Sequence, residues 1–178
     1  MSGQLRTTVH EYDCFNLKRP LCERGTLQFH EECIGDRTSI RERRPYDTLS
    51  NQVARNGDAG KHLVVKMDVE GAEWASLLAT PDSVLDSIDQ LVIEFHGTGG
   101  ARFVDTVEKL KRHFYLVHFH ANNYSCDARL APFTSWANEV LLVNRRVGVP
   151  DGSGGVPVLP NPLDAPNKPS GRDCQPAF

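Results

Sequence analysis

The sequence predicts an α/β fold, in which strands and helices alternate along the chain. Two observations support this prediction. Four short apolar runs, rich in β-branched and aromatic residues, have the length and composition of strands that are buried on both faces, as in a parallel sheet. Stretches with apolar residues at helical spacing lie between these runs. The four runs span residues 62–67, 91–95, 116–119 and 140–143.

The first elements follow from local signals in chain order. Residues 7–12 and 27–34 are two weaker strand candidates that precede the four strong runs. Leu49 and Val53 are four residues apart and are followed by Gly57. This pattern predicts a short helix that ends before the first strong strand.

The later helices lie behind the first two strong strands. Trp74 and Leu77 have helical spacing, and Pro81 ends this helix and permits a short second one. The polar segment between the last two strands, residues 121–138, is compatible with a looped, antiparallel end to the sheet. The clearest helix covers residues 102–114, because its apolar side chains form one stripe: Phe103, Val107, Leu110 and Phe114.

The composition describes one globular domain followed by a tail. The chain has 178 residues, a formal net charge of -3 and 39% hydrophobic residues, enough to bury a sizeable core. This charge balance argues against a nucleic-acid partner, and the arginines of residues 37–44 are interpreted as a solvated face. Gly, Pro, Asn and Asp prevail after residue 146. We therefore predict a domain at residues 1–146 and an irregular or disordered surface tail at residues 147–178.

The cysteines and the apolar segments bear on the compartment. The five cysteines are odd in number and lack the short paired spacing of a zinc site, so we predict free thiols in a reducing compartment. No apolar stretch approaches the ~20 residues that a membrane span requires. The polar N-terminus lacks a secretory segment. Together these features favour a cytoplasmic protein without a membrane partner.

Two carboxylates follow the first strong strand. Asp68 and Glu70 come directly after the apolar run, and Gly71 begins the turn into a helix. Because α/β sheets place ligand crevices at the carboxyl ends of strands, we predict a functional site here. The structural alternative is that Asp68 caps the helix while Glu70 and Glu73 favour its positive end. The coincidence of two acids, a glycine and a buried strand favours the site.

The second strong strand brings further polar groups. Glu94 lies inside the apolar run, where an unpaired carboxylate is costly, so we predict an ion pair with Lys66. His96 stands at the end of the strand and is a candidate general base. Residues 97–100, which are rich in glycine, are interpreted as a turn that leads into a helix, because the nucleotide-loop pattern is incomplete.

Two histidines share one side of the third strong strand. His118 and His120 are two residues apart, so their side chains point to the same face. Together with His96 and Asp68 they could bind a metal ion, which would indicate a metal-dependent hydrolase. We favour the alternative that His120 lines a pocket with Asn122, and we assign no metal ligand.

Four stretches together resemble the FkbM-type branch of S-adenosylmethionine-dependent methyltransferases and the related methyltransferase-like proteins. The resemblance implies a Rossmann-like class I methyltransferase sheet, mostly parallel with an antiparallel last strand and with helices on both faces. It also implies S-adenosylmethionine as the cofactor. The stretches are residues 66–74 (KMDVEGAEW), 88–96 (IDQLVIEFH), 117–124 (VHFHANNY) and 138–144 (NEVLLVN).

The resemblance also assigns roles to individual residues. Asp13, an acid after the second strand of such a sheet, would hold the ribose hydroxyls of the cofactor. Gly35 and Asp36 would flank its adenine. The positions that would face the methyl group and the acceptor are Asp68, Glu70, Glu94 and His96.

The function implied is methyl transfer to an oxygen atom of a small molecule or sugar. Asp68 or His96 would assist deprotonation of the acceptor hydroxyl, with Glu70 and His120 as further catalytic candidates. The family's first strand and glycine-rich loop should precede Asp13, yet only six residues precede the first strand candidate. We therefore expect an N-terminally truncated sheet. The alternative to an enzyme is a non-catalytic scaffold of the same fold.

Overall fold

The computed structural model describes residues 7–23, 25–97, 101–131, 134–150, 152, 161–162 and 164–174. None of the helices in these ranges has both the length and the apolar composition needed to cross a membrane. The elements in chain order are β1 (Thr8–Tyr12), β2 (Thr26–His30), β3 (Cys33–Ile34), β4 (Ser39–Arg41), β5 (Arg44–Asp47), α1 (Leu49–Arg55), β6 (Leu63–Asp68), α2 (Glu73–Ala79), α3 (Asp82–Leu85), β7 (Ile88–His96), α4 (Ala101–His113), β8 (Phe114–Ala121), a 3-10 turn (Ala128–Leu130) and β9 (Ala137–Asn144).

The strands of the described residues form three separate sheets. β1 pairs with β2 in parallel, β5 lies between β3 and β4, and the largest sheet has the order β6-β7-β9-β8. In the largest sheet β6 and β7 are parallel, whereas β9 is antiparallel to both of its neighbours. The predicted Rossmann-like class I methyltransferase sheet is therefore wrong. The chain has a mixed α/β fold whose sheets are only partly parallel.

The short early strands explain this difference. β1 and β2 pair with each other along five residues, and β3 has only two residues. Among the described residues, neither pair of strands lies next to β6, which is the edge of the largest sheet. At the other end, the chain returns from β8 and inserts β9 between β7 and β8. The result is a sheet with one parallel pair and two antiparallel pairs.

β7 shows that helices cover the largest sheet on one face. Leu91, Ile93 and Phe95 are buried, whereas the alternate residues Gln90 and Val92 are exposed and Glu94 is half-buried. This alternation has the period of two that a strand with one buried face requires. The predicted burial of this strand on both faces is therefore wrong. The apolar cluster under the covered face also includes Ile34, Leu49, Leu77, Leu85, Leu110 and Leu142.

Lys109 of α4 donates hydrogen bonds to carbonyl groups at the C-terminal end of α2. The last carbonyl groups of a helix have no partner within the helix, so an outside donor stabilises them. Lys109 is partly buried, which lowers the pKa of its ammonium group. This contact joins the C-terminal end of α2 to α4. The carbonyl groups that accept from Lys109 Nζ belong to Leu77, Leu78 and Thr80.

Four of the five cysteines form disulfide bonds, so the prediction of free thiols is wrong for them. Cys14 is bonded to Cys33, and Cys126 is bonded to Cys174. Cys22 is exposed and belongs to neither disulfide. The partners are 19 and 48 residues apart. Such separations do not appear as a spacing motif in the sequence.

Replacing Lys109 with Met should destabilise the fold by about 1–3 kcal/mol, because carbonyl groups at the end of α2, two of them in partly buried hydrogen bonds, would lose their donor. The free energy of unfolding, measured with urea, tests this expectation. Lys111→Met on the same helix is the control, because Lys111 is exposed and pairs only with Glu108 among the described residues. Its expected effect is below about 0.5 kcal/mol. Equal effects of the two substitutions would contradict the assigned role of Lys109.

Candidate functional site

The carboxyl ends of β6 and β7 meet at one edge of the largest sheet. The two strands are parallel, and Asp68 stands opposite Glu94 in their register. Glu70 lies in the turn after β6, and β7 ends at His96. Atoms of Asp68, Glu70 and His96 that can bind a ligand all lie within 4.8 Å of one another. The structure thus brings together three of the four residues predicted as catalytic.

A left-handed turn connects β6 to α2. The backbone φ angle is 53° at Glu70 and 101° at Gly71. Glycine adopts such angles freely, whereas another residue incurs a cost of about 1–2 kcal/mol. The turn directs two backbone N–H groups at the carboxylate of Glu73: Val69 N lies 3.0 Å from Oε1, and Gly71 N lies 3.0 Å from Oε2. These charge-assisted hydrogen bonds offset the strain at Glu70.

Glu73 also fixes the imidazole of His96. Glu73 has no exposed surface, and its Oε1 lies 2.9 Å from His96 Nδ1. Because a carboxylate only accepts hydrogen bonds, Nδ1 carries a proton and donates it. The second ring nitrogen, Nε2, therefore faces away from Glu73. The sequence predicts Glu73 only as a favourable charge at a helix N-terminus, since its contact with His96 leaves no local signal.

Nε2 of His96 faces carboxylates. It lies 3.6 Å from Glu70 Oε2 and 4.0 Å from Glu94 Oε1. Both distances are too long for a hydrogen bond, and no other described residue forms a hydrogen bond with this nitrogen. Burial alone lowers the pKa of His96, but the hydrogen bond and charge of Glu73, with the charges of Glu70 and Glu94, raise the pKa overall. We call Asp68, Glu70, Glu94 and His96 the His96 cluster.

Glu94 is hydrogen-bonded to the side-chain amide of Asn122 and is not paired with Lys66. Asn122 Nδ2 donates to Glu94 Oε1 at 2.7 Å. Lys66 is exposed, and its Nζ lies 3.6 Å from Asp68 Oδ2. The predicted Lys66–Glu94 ion pair is therefore wrong, although β6 and β7 are neighbours. In the register of these strands Lys66 is opposite Val92, so the nearest acid to Lys66 is on its own strand.

Two tryptophans support the end of β7. Trp74 Nε1 donates to the carbonyl oxygen of His96 at 2.9 Å, and its ring stacks on Phe95. Trp136 lies beside the His96 ring, with 5.3 Å between the ring centroids. The backbone N–H of Gly97 donates to the carbonyl of Trp136 at 2.7 Å. These contacts hold the backbone and the ring of His96 in place from both sides.

His120 lies in a different cluster. β9 separates β8 from β7, and in the register Glu139 stands between His120 and Glu94. Nδ1 of His120 lies 3.1 Å from Glu139, and Nε2 lies 3.4 Å from Asp173. Neighbouring strands are about 4.8 Å apart, so His120 is roughly 10 Å from Glu94 across the sheet. The structure therefore does not place His120 in the His96 cluster.

The four residues of the hydrolase alternative are also not brought into one site. His118 Nε2 lies 2.8 Å from Asp164, a residue of the C-terminal segment (residues 164–174). In the part of the chain that the structure describes, the group that could hold a metal ion contains His96 and Asp68 but neither His118 nor His120. Both of these histidines have acidic partners of their own.

The C-terminal segment packs on β8, β9 and the loop after β8. Asn167 Nδ2 donates to Glu139 at 2.7 Å, and the backbone N–H of Lys168 donates to Asn123 Oδ1 at 2.7 Å. Asn123 Nδ2 in turn donates to the carbonyl of Lys168 at 3.1 Å. The disulfide from Cys126 fixes the end of the segment at Cys174. These described residues of the predicted tail are thus irregular in backbone but firmly attached.

The three residues that the resemblance assigns to the cofactor lie outside the largest sheet. Asp13 follows β1, and its Oδ1 accepts the backbone N–H groups of Phe15 and Asn16, both at 2.8 Å. Gly35 is buried after β3 and donates its N–H to the carbonyl of Asp47.

Asp36 differs from Asp13 in its partner. Its Oδ1 lies 3.1 Å from a guanidinium nitrogen of Arg41. The second carboxylate oxygen of Asp13, Oδ2, receives no hydrogen bond from a described residue. It can therefore accept one from a ribose hydroxyl. The described partners of Asp13 are backbone N–H groups, whereas Asp36 pairs with the cation Arg41.

No protein-family model matches the sequence, and no curated protein or solved structure matches the chain.

The contacts of His120 predict a pH-dependent contribution to stability. Burial lowers the pKa of His120, but Glu139 and Asp173 raise it overall. A raised pKa in the folded state means that the contribution is complete below the ordinary value of about 6.5 and is lost as the pH rises through the folded value. We expect His120→Gln to reduce the free energy of unfolding more at pH 6 than at pH 8.5.

Urea unfolding of both proteins at the two pH values measures this difference. His62→Gln is the control, because His62 is exposed and paired with Asp89 at another surface. An effect of His120→Gln that is independent of pH, or that grows toward pH 8.5, would contradict the assignment.

Proposed function

We propose that the chain transfers a methyl group from S-adenosylmethionine to a hydroxyl oxygen of a small molecule or sugar, and that this acceptor binds at the His96 cluster. The observation that carries the proposal is the convergence of Asp68, Glu70 and His96 within 4.8 Å. These residues come from the two stretches, 66–74 and 88–96, that bear the main resemblance to FkbM-type methyltransferases. The convergence supports a common role for them.

The cluster offers both binding and proton acceptance to a hydroxyl group. The Glu70 side chain is 82% exposed and that of Asp68 is 36% exposed, so an acceptor can reach both carboxylates. Asp68 takes the proton of the acceptor hydroxyl, because its carboxylate stands at the tip of β6, is partly exposed, and has Lys66 at 3.6 Å as its one ion-pair partner among the described residues. Glu70 and His96 orient the acceptor through hydrogen bonds.

The cofactor residues fit this proposal in part. When bound, S-adenosylmethionine supplies an electrophilic methyl group, which a deprotonated hydroxyl oxygen can attack. Asp13 would hold its ribose through Oδ2. Asp36 is paired with Arg41, and a side chain at Gly35 would meet only ordinary contacts, the nearest at 3.5 Å. The proposal therefore relies on Asp13 and not on the other two residues.

Calorimetric titration with S-adenosylmethionine tests cofactor binding. We expect saturable heat and a roughly tenfold or greater loss of affinity in Asp13→Asn, because hydrogen bonds to charged groups contribute about 1.5–3 kcal/mol. Asp36→Asn is the matched control and should bind as the original chain does. Absence of heat from the unmodified chain would reject cofactor binding.

Formation of S-adenosylhomocysteine in the presence of a panel of sugars and small alcohols tests the reaction. Loss of the proton acceptor in Asp68→Asn should lower the rate about 100-fold or more. Asp105→Asn, a change on the exposed surface of α4, is the control and should leave the rate unchanged. Cofactor binding without turnover of any acceptor would favour the non-catalytic alternative.

A further inference from the structure

The spacing of the His96 cluster suits a single metal ion. Bonds from a metal to histidine nitrogen or carboxylate oxygen are about 2.0–2.2 Å long, so neighbouring ligand atoms lie roughly 3–4 Å apart. The ligand atoms of Asp68, Glu70 and His96 lie within 4.8 Å of one another, and Glu94 Oε1 is 4.0 Å from His96 Nε2. Small rotations of exposed carboxylates would complete the coordination.

His96 provides an independent indication of a ligand. Its side chain is 5% exposed, and its Nε2 is directed into the cluster without a hydrogen bond from any described residue. Its other nitrogen is hydrogen-bonded to the buried carboxylate of Glu73. In metal sites, a histidine ligand usually donates its second N–H to a carboxylate or carbonyl, which fixes the ring and leaves one lone pair for the metal.

The charge of the cluster favours a divalent cation. Asp68, Glu70 and Glu94 contribute three carboxylates, and the ion pairs that described residues make with them involve only Lys66 and His96. Lys66 is exposed and lies beside Asp68 alone. Bringing carboxylates together without compensation is unfavourable, and a bound cation removes that cost.

We infer that Asp68, Glu70 and His96 bind one divalent cation of the Zn²⁺ or Mn²⁺ type, with Glu94 as a fourth group. Imidazole nitrogen suits Zn²⁺, carboxylate oxygen suits Mn²⁺, and a purely oxygen-loving ion such as Ca²⁺ matches this donor set less well. Asp68 has two oxygens, so one can bind the cation while the other faces an acceptor hydroxyl. The inference goes beyond the proposed function, because cation binding requires neither cofactor nor acceptor.

Calorimetric titration of the full-length, EDTA-treated chain with ZnCl₂ and with MnCl₂ tests the inference. One ion should bind per chain, and Glu70→Gln and His96→Gln should each weaken binding at least tenfold. Glu73→Gln should weaken it by 10–100-fold, the range for loss of a group that orients a metal ligand. His62→Gln, at an exposed histidine beside Asp89, should leave affinity unchanged.

Glu70→Gln keeps the test decisive if a buried variant fails to fold. Glu70 is exposed, and its one ion pair among the described residues is with His96. Absence of saturable binding to the unmodified chain, or undiminished binding to folded Glu70→Gln, would overturn the inference. Cation binding without any heat from S-adenosylmethionine would reject the proposed function alone. Heat from S-adenosylmethionine without saturable cation binding would reject the cation site alone.

Discussion

The buried hydrogen bond between Glu73 and His96 is the contact on which the site depends. It joins the start of α2 to the end of β7, two elements that lie 23 residues apart at these positions. A buried carboxylate without partners would cost on the order of several kcal/mol. The N–H groups of Val69 and Gly71 and the imidazole together satisfy it. The turn, the helix and the strand end therefore hold one another in position.

This constraint also explains the arrangement of charges around His96. Because Nδ1 donates to the buried Glu73, the opposite nitrogen of the ring, Nε2, points away from Glu73. The left-handed backbone at Glu70 brings its carboxylate to 3.6 Å from that nitrogen. Strand register places Asp68 opposite Glu94. Backbone geometry and the fixed ring of His96 thus gather the three acids, and among the described residues Lys66 and His96 are their ion-pair partners, fewer than the carboxylates.

Local sequence signals predicted the elements of the site but not their order. The strong apolar runs overlap β6, β7, β8 and β9, and the predicted helix at residues 102–114 overlaps α4. Polar residues at two strand ends were enough to predict that Asp68, Glu70 and His96 belong together. The insertion of β9 between β7 and β8 has no local signal, because β8 and β9 are similar apolar runs. That insertion places His120 beside Glu139 and away from the cluster.

Contacts between distant parts of the chain account for the remaining differences. The disulfides and the attachment of the C-terminal segment join residues that no pattern in the sequence relates. The loop after β8 shows their effect. Asn122 holds Glu94, and the next residue, Asn123, holds the backbone of Lys168. Since these two asparagines are adjacent, a displacement of the C-terminal segment would act on the loop that positions one carboxylate of the His96 cluster.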